Sequence, residues 1–188
     1  MACICVYGAA SDRIQKDFIE TTEALGRLIA QHHHSIIYGA GASGLMGAVA
    51  RGMVSAGGHV IGVTPHFMHK FEPVFECSEI IDTTTMAERK SIMESHADAF
   101  IVVPGGIGTF DEFFQILTLK ELGQLGNKPI VLFNIDGYYN ELQAMMEASN
   151  RKGFFRETVM DLYRVAETPE EAIRLIEAEL KKQKKKTK

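Results

Sequence analysis

Short apolar runs alternate with stretches of helical periodicity from one end of the chain to the other. The runs fall at residues 2–7, 35–38, 59–63, 79–81, 99–103 and 129–133, and each reads as a strand. Between them, Ile14, Phe18, Thr22, Leu25 and Ile29 recur at helical spacing, as do Tyr139, Leu142, Met145 and Met146. Pro169, suited to a first helical position, opens a final helix that runs through Leu180. This alternation predicts an α/β fold: a Rossmann-like three-layer sandwich with a mostly parallel sheet of six or seven strands, one nucleotide-binding domain over residues 1–180. Open sheets of this kind bind ligands beyond the carboxyl ends of their strands, so the loops beginning at Gly8, Gly39, Thr64, Asp82 and Pro104 matter most. The stretch 110–125 carries Phe113, Phe114, Ile116, Leu117, Leu119 and Leu122 on more than one helical face, which predicts contact with a second subunit.

Composition narrows the picture. A chain of 188 residues can bury a sizeable core without disulfides, and Cys3, Cys5 and Cys77 show no metal-like clustering. A reduced, cytoplasmic protein is expected, with no apolar run near the ~20 residues of a membrane span. The formal charge of −4 conceals an asymmetry: the last eight residues hold six lysines, leaving a body with 14 basic and 24 acidic residues. Such a body is unsuited to nucleic acid, and an anionic ligand requires a local pocket. Residues 181–188 are predicted to be a disordered, solvated lysine-rich tail.

The chemistry concentrates in Ile101-Val-Val-Pro-Gly-Gly-Ile-Gly-Thr-Phe-Asp-Glu112, an apolar strand that runs into a glycine-rich turn opening a helix. Gly105, Gly106 and Gly108 free the backbone to take positive φ and to bring its N–H groups close to an anion at the helix N-terminus. Glu112 follows about one turn later, where it would act on what the phosphate is attached to, a sugar first of all. Thr109-x-x-Glu112 also satisfies a capping box, but a cap alone does not require three glycines. Gly39-x-Gly41-x-x-Gly44 formally matches a dinucleotide fingerprint, yet it follows the second strand and lacks an acidic residue about 20 positions on, so NAD is not expected. In the helical stretch after Thr83, Met86, Arg89, Lys90 and Met93 share a face, and Arg89 is placed to point at the same ligand as Glu112. His32-His-His34 reads as a solvated helix end, and no metal is assigned.

These residues resemble the Lonely Guy family of nucleoside 5'-monophosphate phosphoribohydrolases, which activate cytokinins and are often mislabelled lysine decarboxylases. Pro104-Gly-Gly-Ile-Gly-Thr-Phe-Asp-Glu112 matches the family's P-G-G-x-G-T-x-x-E, with Arg89-Lys90 one strand upstream. Gly44-Leu-Met-Gly47, Gly58-His-Val-Ile-Gly-Val63, Lys128-Pro129 and Asp136-Gly-Tyr-Tyr139 agree more weakly. Two departures reshape the pocket: the usual C-G-S-S is Tyr7-Gly-Ala-Ala10, and the usual Y-G-G-G is Tyr38-Gly-Ala-Gly41.

The resemblance implies hydrolysis of the N-glycosidic bond of a purine nucleotide, AMP or an N6-modified cytokinin relative, to free base and ribose 5-phosphate. It implies Arg89 and Glu112 as catalytic residues. It also implies substrate contacts from Glu72, Lys90, Gly105, Gly106, Ile107, Gly108, Thr109 and Thr118, no cofactor, and a homodimer. A carboxylate beside the ribose favours the oxocarbenium-like transition state. A guanidinium is a poor proton donor, so Arg89 would stabilise the leaving base or the phosphate. Lysine decarboxylation is disfavoured, since no Schiff-base lysine with a ring-nitrogen partner is apparent. The alternative is a non-catalytic nucleotide or molybdenum cofactor carrier protein of the same fold.

Overall fold

The computed structural model describes residues 1–71 and 73–186. Seven strands, β1 (Cys3–Tyr7), β2 (Ser35–Tyr38), β3 (Val60–Pro65), β4 (Glu79–Thr83), β5 (Ala99–Val102), β6 (Ile130–Phe133) and β7 (Arg164–Ala166), form one sheet. All neighbours pair in parallel, in the order β4-β3-β2-β1-β5-β6-β7. Six helices cover it: α1 (Lys16–Gln31), α2 (Gly44–Ser55), α3 (Met86–His96), α4 (Ile107–Glu121), α5 (Asn140–Arg151) and α6 (Pro169–Lys186). The pleat sorts β1 between two cores. Ile4 and Val6 pack with Leu25 of α1, Val49 of α2 and Ile173 of α6. Cys5 and Tyr7 face the other way, toward Met93 of α3, Phe113 and Ile116 of α4 and Met146 of α5. The predicted three-layer architecture is the observed one.

Helices α1 and α2 approach closely. A Cβ on Gly26 would stand 2.2 Å from the Val49 carbonyl oxygen, and one on Gly52 would stand 2.1 Å from that of Glu23. The sheet's order changes direction between β1 and β5, so the crevice beyond their carboxyl ends is the switch point at which doubly wound sheets hold ligands.

Two expectations are corrected. Helix α6 does not stop at Leu180 but continues through Lys186, so the first six residues of the predicted disordered tail are helical. Lysine is a good helix former, and Lys181 and Lys182 pair with Glu177 and Glu179 one turn back. The triple histidine is not uniformly solvated. His33 takes a left-handed φ of 59°, which turns His34 inward, where its Nδ1 accepts from the Ala2 N–H at 3.1 Å. Burial holds the His34 imidazole below its usual pKa, even with Glu177 nearby. Strand β7, only three residues long, has no recognisable apolar run in the sequence. No described helix is long and apolar enough to cross a membrane.

Candidate active site

A cleft of about 360 Å³ opens at the switch point, lined by the loop after β1, Gly39 and Gly41 after β2, Arg89 and Lys90 of α3, and the turn and first residues of α4. The glycine turn is fixed from behind. The Pro104 carbonyl accepts from the Ala9 N–H at 3.1 Å, while Tyr138 donates to the Gly105 carbonyl and Tyr139 to that of Val103, each at 2.8 Å. Neither tyrosine stands out as a support in the sequence, because the contacts span more than 30 residues.

The glycines act through space and not through positive φ, which none of Gly105, Gly106 or Gly108 adopts. A Cβ on Gly105 would strike the Thr109 hydroxyl, whereas Gly106 and Gly108 have no atom within 4 Å of where a Cβ would stand. Gly106 is extended, with φ −91° and ψ −153°, and caps α4, so the helix begins at Ile107. Thr109 is therefore inside the first turn and is not the cap, which removes the capping-box reading. The first backbone bond runs from Phe110 N–H to Gly106 O at 3.0 Å, leaving the N–H groups of Ile107, Gly108 and Thr109 without a partner among the described residues, the arrangement that holds an anion. The N-terminus of α2 is different. There Leu45 and Met46 N–H groups both donate to the Ala9 carbonyl, at 2.8 and 3.2 Å, so two of the donors that a pyrophosphate would use are already taken.

Arg89 and Glu112 face the same cleft from adjacent helices. A Cβ on Gly39 would stand 1.7 Å from Arg89 Nη2, so the guanidinium fills the space that glycine leaves. Among the described residues its Nε, shut off from solvent, has no partner, and Nη1 reaches only the Met86 sulfur at 3.8 Å. Glu112 makes no hydrogen bond among the described residues. Burial pushes its carboxyl up to about 7, outweighing the pull of Arg89, and Asp111 adds to the rise. An uncommitted guanidinium and a carboxyl poised near neutrality across one small cleft make this the candidate active site.

The other predicted residues divide. Gly106, Gly108 and Thr109 line the cleft, and Thr109 is buried. Gly105 instead faces a neighbouring apolar hollow beside Ile14, Phe18 and Tyr138. Lys90 reaches the cleft but its Nζ is held by Asp111 at 2.8 Å. Ile107 is largely exposed, outside the cleft lining. Thr118 is also outside it: six residues beyond Glu112, it stands ~9 Å along α4 on a different face. Glu72 lies outside the described residues. Met93 is wholly buried in the core, whereas Met86 lines the cleft with Met46. Tyr7 and Ser11 also line it and went unrecognised, although the loop that carries them is one of those the strand ends pick out.

A family described as "Possible lysine decarboxylase" matches residues 46–176. The chain is 33% identical over 175 residues to the cytokinin riboside 5'-monophosphate phosphoribohydrolase LOG3 of Arabidopsis thaliana, covering 93% of this chain and 81% of that one. It is 35% identical over 171 residues to the probable enzyme of that name, LOG4, of Oryza sativa subsp. japonica, covering 90% and 74%. The chain belongs to the Lonely Guy family. In this Lonely Guy protein the signature P-G-G-x-G-T-x-x-E is thus a fixed turn, an open helix N-terminus and a half-buried carboxyl. Among solved structures, the molybdenum cofactor carrier proteins of Chlamydomonas reinhardtii and Rippkaea orientalis share the fold. Their TM-scores are 0.74 and 0.72 at 23% and 22% identity, over 95% and 94% of this chain and 98% and 96% of theirs.

Proposed function

We propose that the protein hydrolyses the N-glycosidic bond of a purine nucleoside 5'-monophosphate, of the cytokinin type or AMP itself, releasing free base and ribose 5-phosphate. The observation that carries this reading is the pair of uncommitted groups, Arg89 and Glu112, beside the open N-terminus of α4. The 5'-phosphate takes the N–H groups of the Gly106 to Thr109 turn and the positive end of the helix. The ribose then lies between Glu112 and Arg89. As the base departs, positive charge grows on the sugar, and the Glu112 carboxylate stabilises that charge and orients the water that attacks the anomeric carbon. Arg89 offers its donors to the electron density gathering on the leaving base. Lys90, neutralised by Asp111, shapes the rim of the cleft and adds little net charge to it.

The test is release of base and ribose 5-phosphate from AMP and an N6-isopentenyl analogue, with adenosine as the control lacking a phosphate. Glu112→Gln is expected to lower turnover by roughly 10²–10³-fold while nucleotide binding persists. The carrier reading draws on the fold shared with molybdenum cofactor carriers. It gains if the protein binds purine monophosphates tightly and releases no base from any of them.

A further inference from the structure

Tyr7 ends β1 beneath the cleft, 1% exposed, with its ring stacked on Phe100 at a centroid distance of 6.2 Å. Its hydroxyl is closed to solvent and makes no hydrogen bond of ordinary geometry among the described residues, having only the weak Cys5 thiol close by. Burying an unpaired hydroxyl is unfavourable, and phenylalanine in the same place would avoid it. Phe100, alongside, shows that this layer accepts a plain ring. Glu112, which makes no hydrogen bond among the described residues, lines the same cleft as Tyr7, and its charge acts on both Tyr7 and Cys5.

We propose that Tyr7 is a positioning residue: its hydroxyl donates to the ionised Glu112 carboxylate through one enclosed water, and so fixes which oxygen faces the ribose. The donor suits the acceptor. A phenol holds its proton throughout the neutral range, and burial raises this one further, so it donates to the carboxylate without competing for the negative charge. The groups facing Glu112 are Arg89, Lys90 and Glu94 from α3, Asp111 from α4, and Tyr7 and Cys5 from β1. Of these, Lys90 is committed to Asp111, and Glu94 accepts from Gln115. Tyr7 is thus the stronger of the two neutral donors in the group, the Cys5 thiol being a weak one, and its loss disfavours the ionised form of Glu112.

This rests on Glu112 being the reacting carboxylate, and the experiment separates the two ideas. The ionisation midpoint of Glu112 is followed by carbon-13 NMR of labelled carboxyls, assigned with Glu112→Gln, in wild type and Tyr7→Phe. The pH profile of base release is recorded beside it. Loss of a donor to a carboxylate is expected to raise the midpoint by about one pH unit. The acid limb of kcat moves up with it, giving up to about tenfold less activity below the midpoint, and the plateau at high pH falls as the carboxylate loses its orientation. A midpoint and acid limb that stay in place overturn the role of Tyr7 even if the enzyme is active. A moved midpoint in a protein that turns over no nucleotide keeps the role of Tyr7 and sinks the hydrolase reading. A crystal structure of the wild type at pH 8 is the second measurement and does not depend on the variant folding. A Tyr7 hydroxyl that shares no water with Glu112 also overturns it.

Discussion

Gly39 shows how one missing side chain builds half of a site. With 1.7 Å between its hypothetical Cβ and Arg89 Nη2, Gly39→Ala forces the guanidinium out of the place from which it faces Glu112. Because φ at Gly39 is not positive, the backbone itself accepts alanine. Gly39→Ala is therefore expected to lose roughly 10²-fold in kcat/KM while its melting temperature changes little, a split that paired kinetics and calorimetry will show. The neighbouring Ala40 is in the left-handed region at φ 62°, where this chain has a methyl group and the family pattern has glycine. At this scale the two charged groups that meet in the cleft were legible, since Arg89 and Glu112 stand in recognisable motifs. Tyr7 was not, because a tyrosine at a strand end ordinarily means core packing, and only the orphaned hydroxyl shows otherwise. Lys90 was legible as a cation, but its partner Asp111, 21 residues away, was not.

Helix α3 delivers Arg89, and its start is well defined. Thr85 caps it, accepting from the Glu88 N–H at 3.1 Å, while the Glu88 carboxylate accepts from both the N–H and hydroxyl of Thr84 at 2.8 Å. These bonds to the ionised carboxylate hold Glu88 below the usual carboxylate range. Thr85→Ala is expected to destabilise the protein by ~1 kcal/mol in urea titrations, and to raise KM by loosening the turn before Arg89. The T-x-x-E pattern occurs both here and at Thr109. The sequence does not say which one caps, because the deciding fact is the extended Gly106, which starts α4 three residues before Thr109. Element boundaries were hidden for this reason, whereas element types were plain from periodicity.

At the scale of the molecule, the sheet's reversal between β1 and β5 was implied by strands alternating with helices, though its order was not written in any local pattern. The apolar excess on α4 is visible in the folded chain: Ile107 is 84% exposed and Phe114 36%, seven residues apart on one stripe. Leu122, just past the helix, is 64% exposed. Thr118, away from its own cleft, shares the stripe with Ile107 and Phe114. We propose that this stripe joins two copies. Sedimentation equilibrium is expected to give twice the chain mass of 20.8 kDa, and Phe114→Glu to give that mass alone. A wild type that sediments as one chain at micromolar concentration removes the proposal.

The two helices that carry Arg89 and Glu112 are braced against each other twice, by Lys90 with Asp111 near the cleft and by Gln115 with Glu94 further along. Two struts on one pair of helices make a fixed gauge. A ligand that enters between them meets a gap of set width and has little to reorganise, so the ordering that a closing lid would demand at each turnover has already been done during folding.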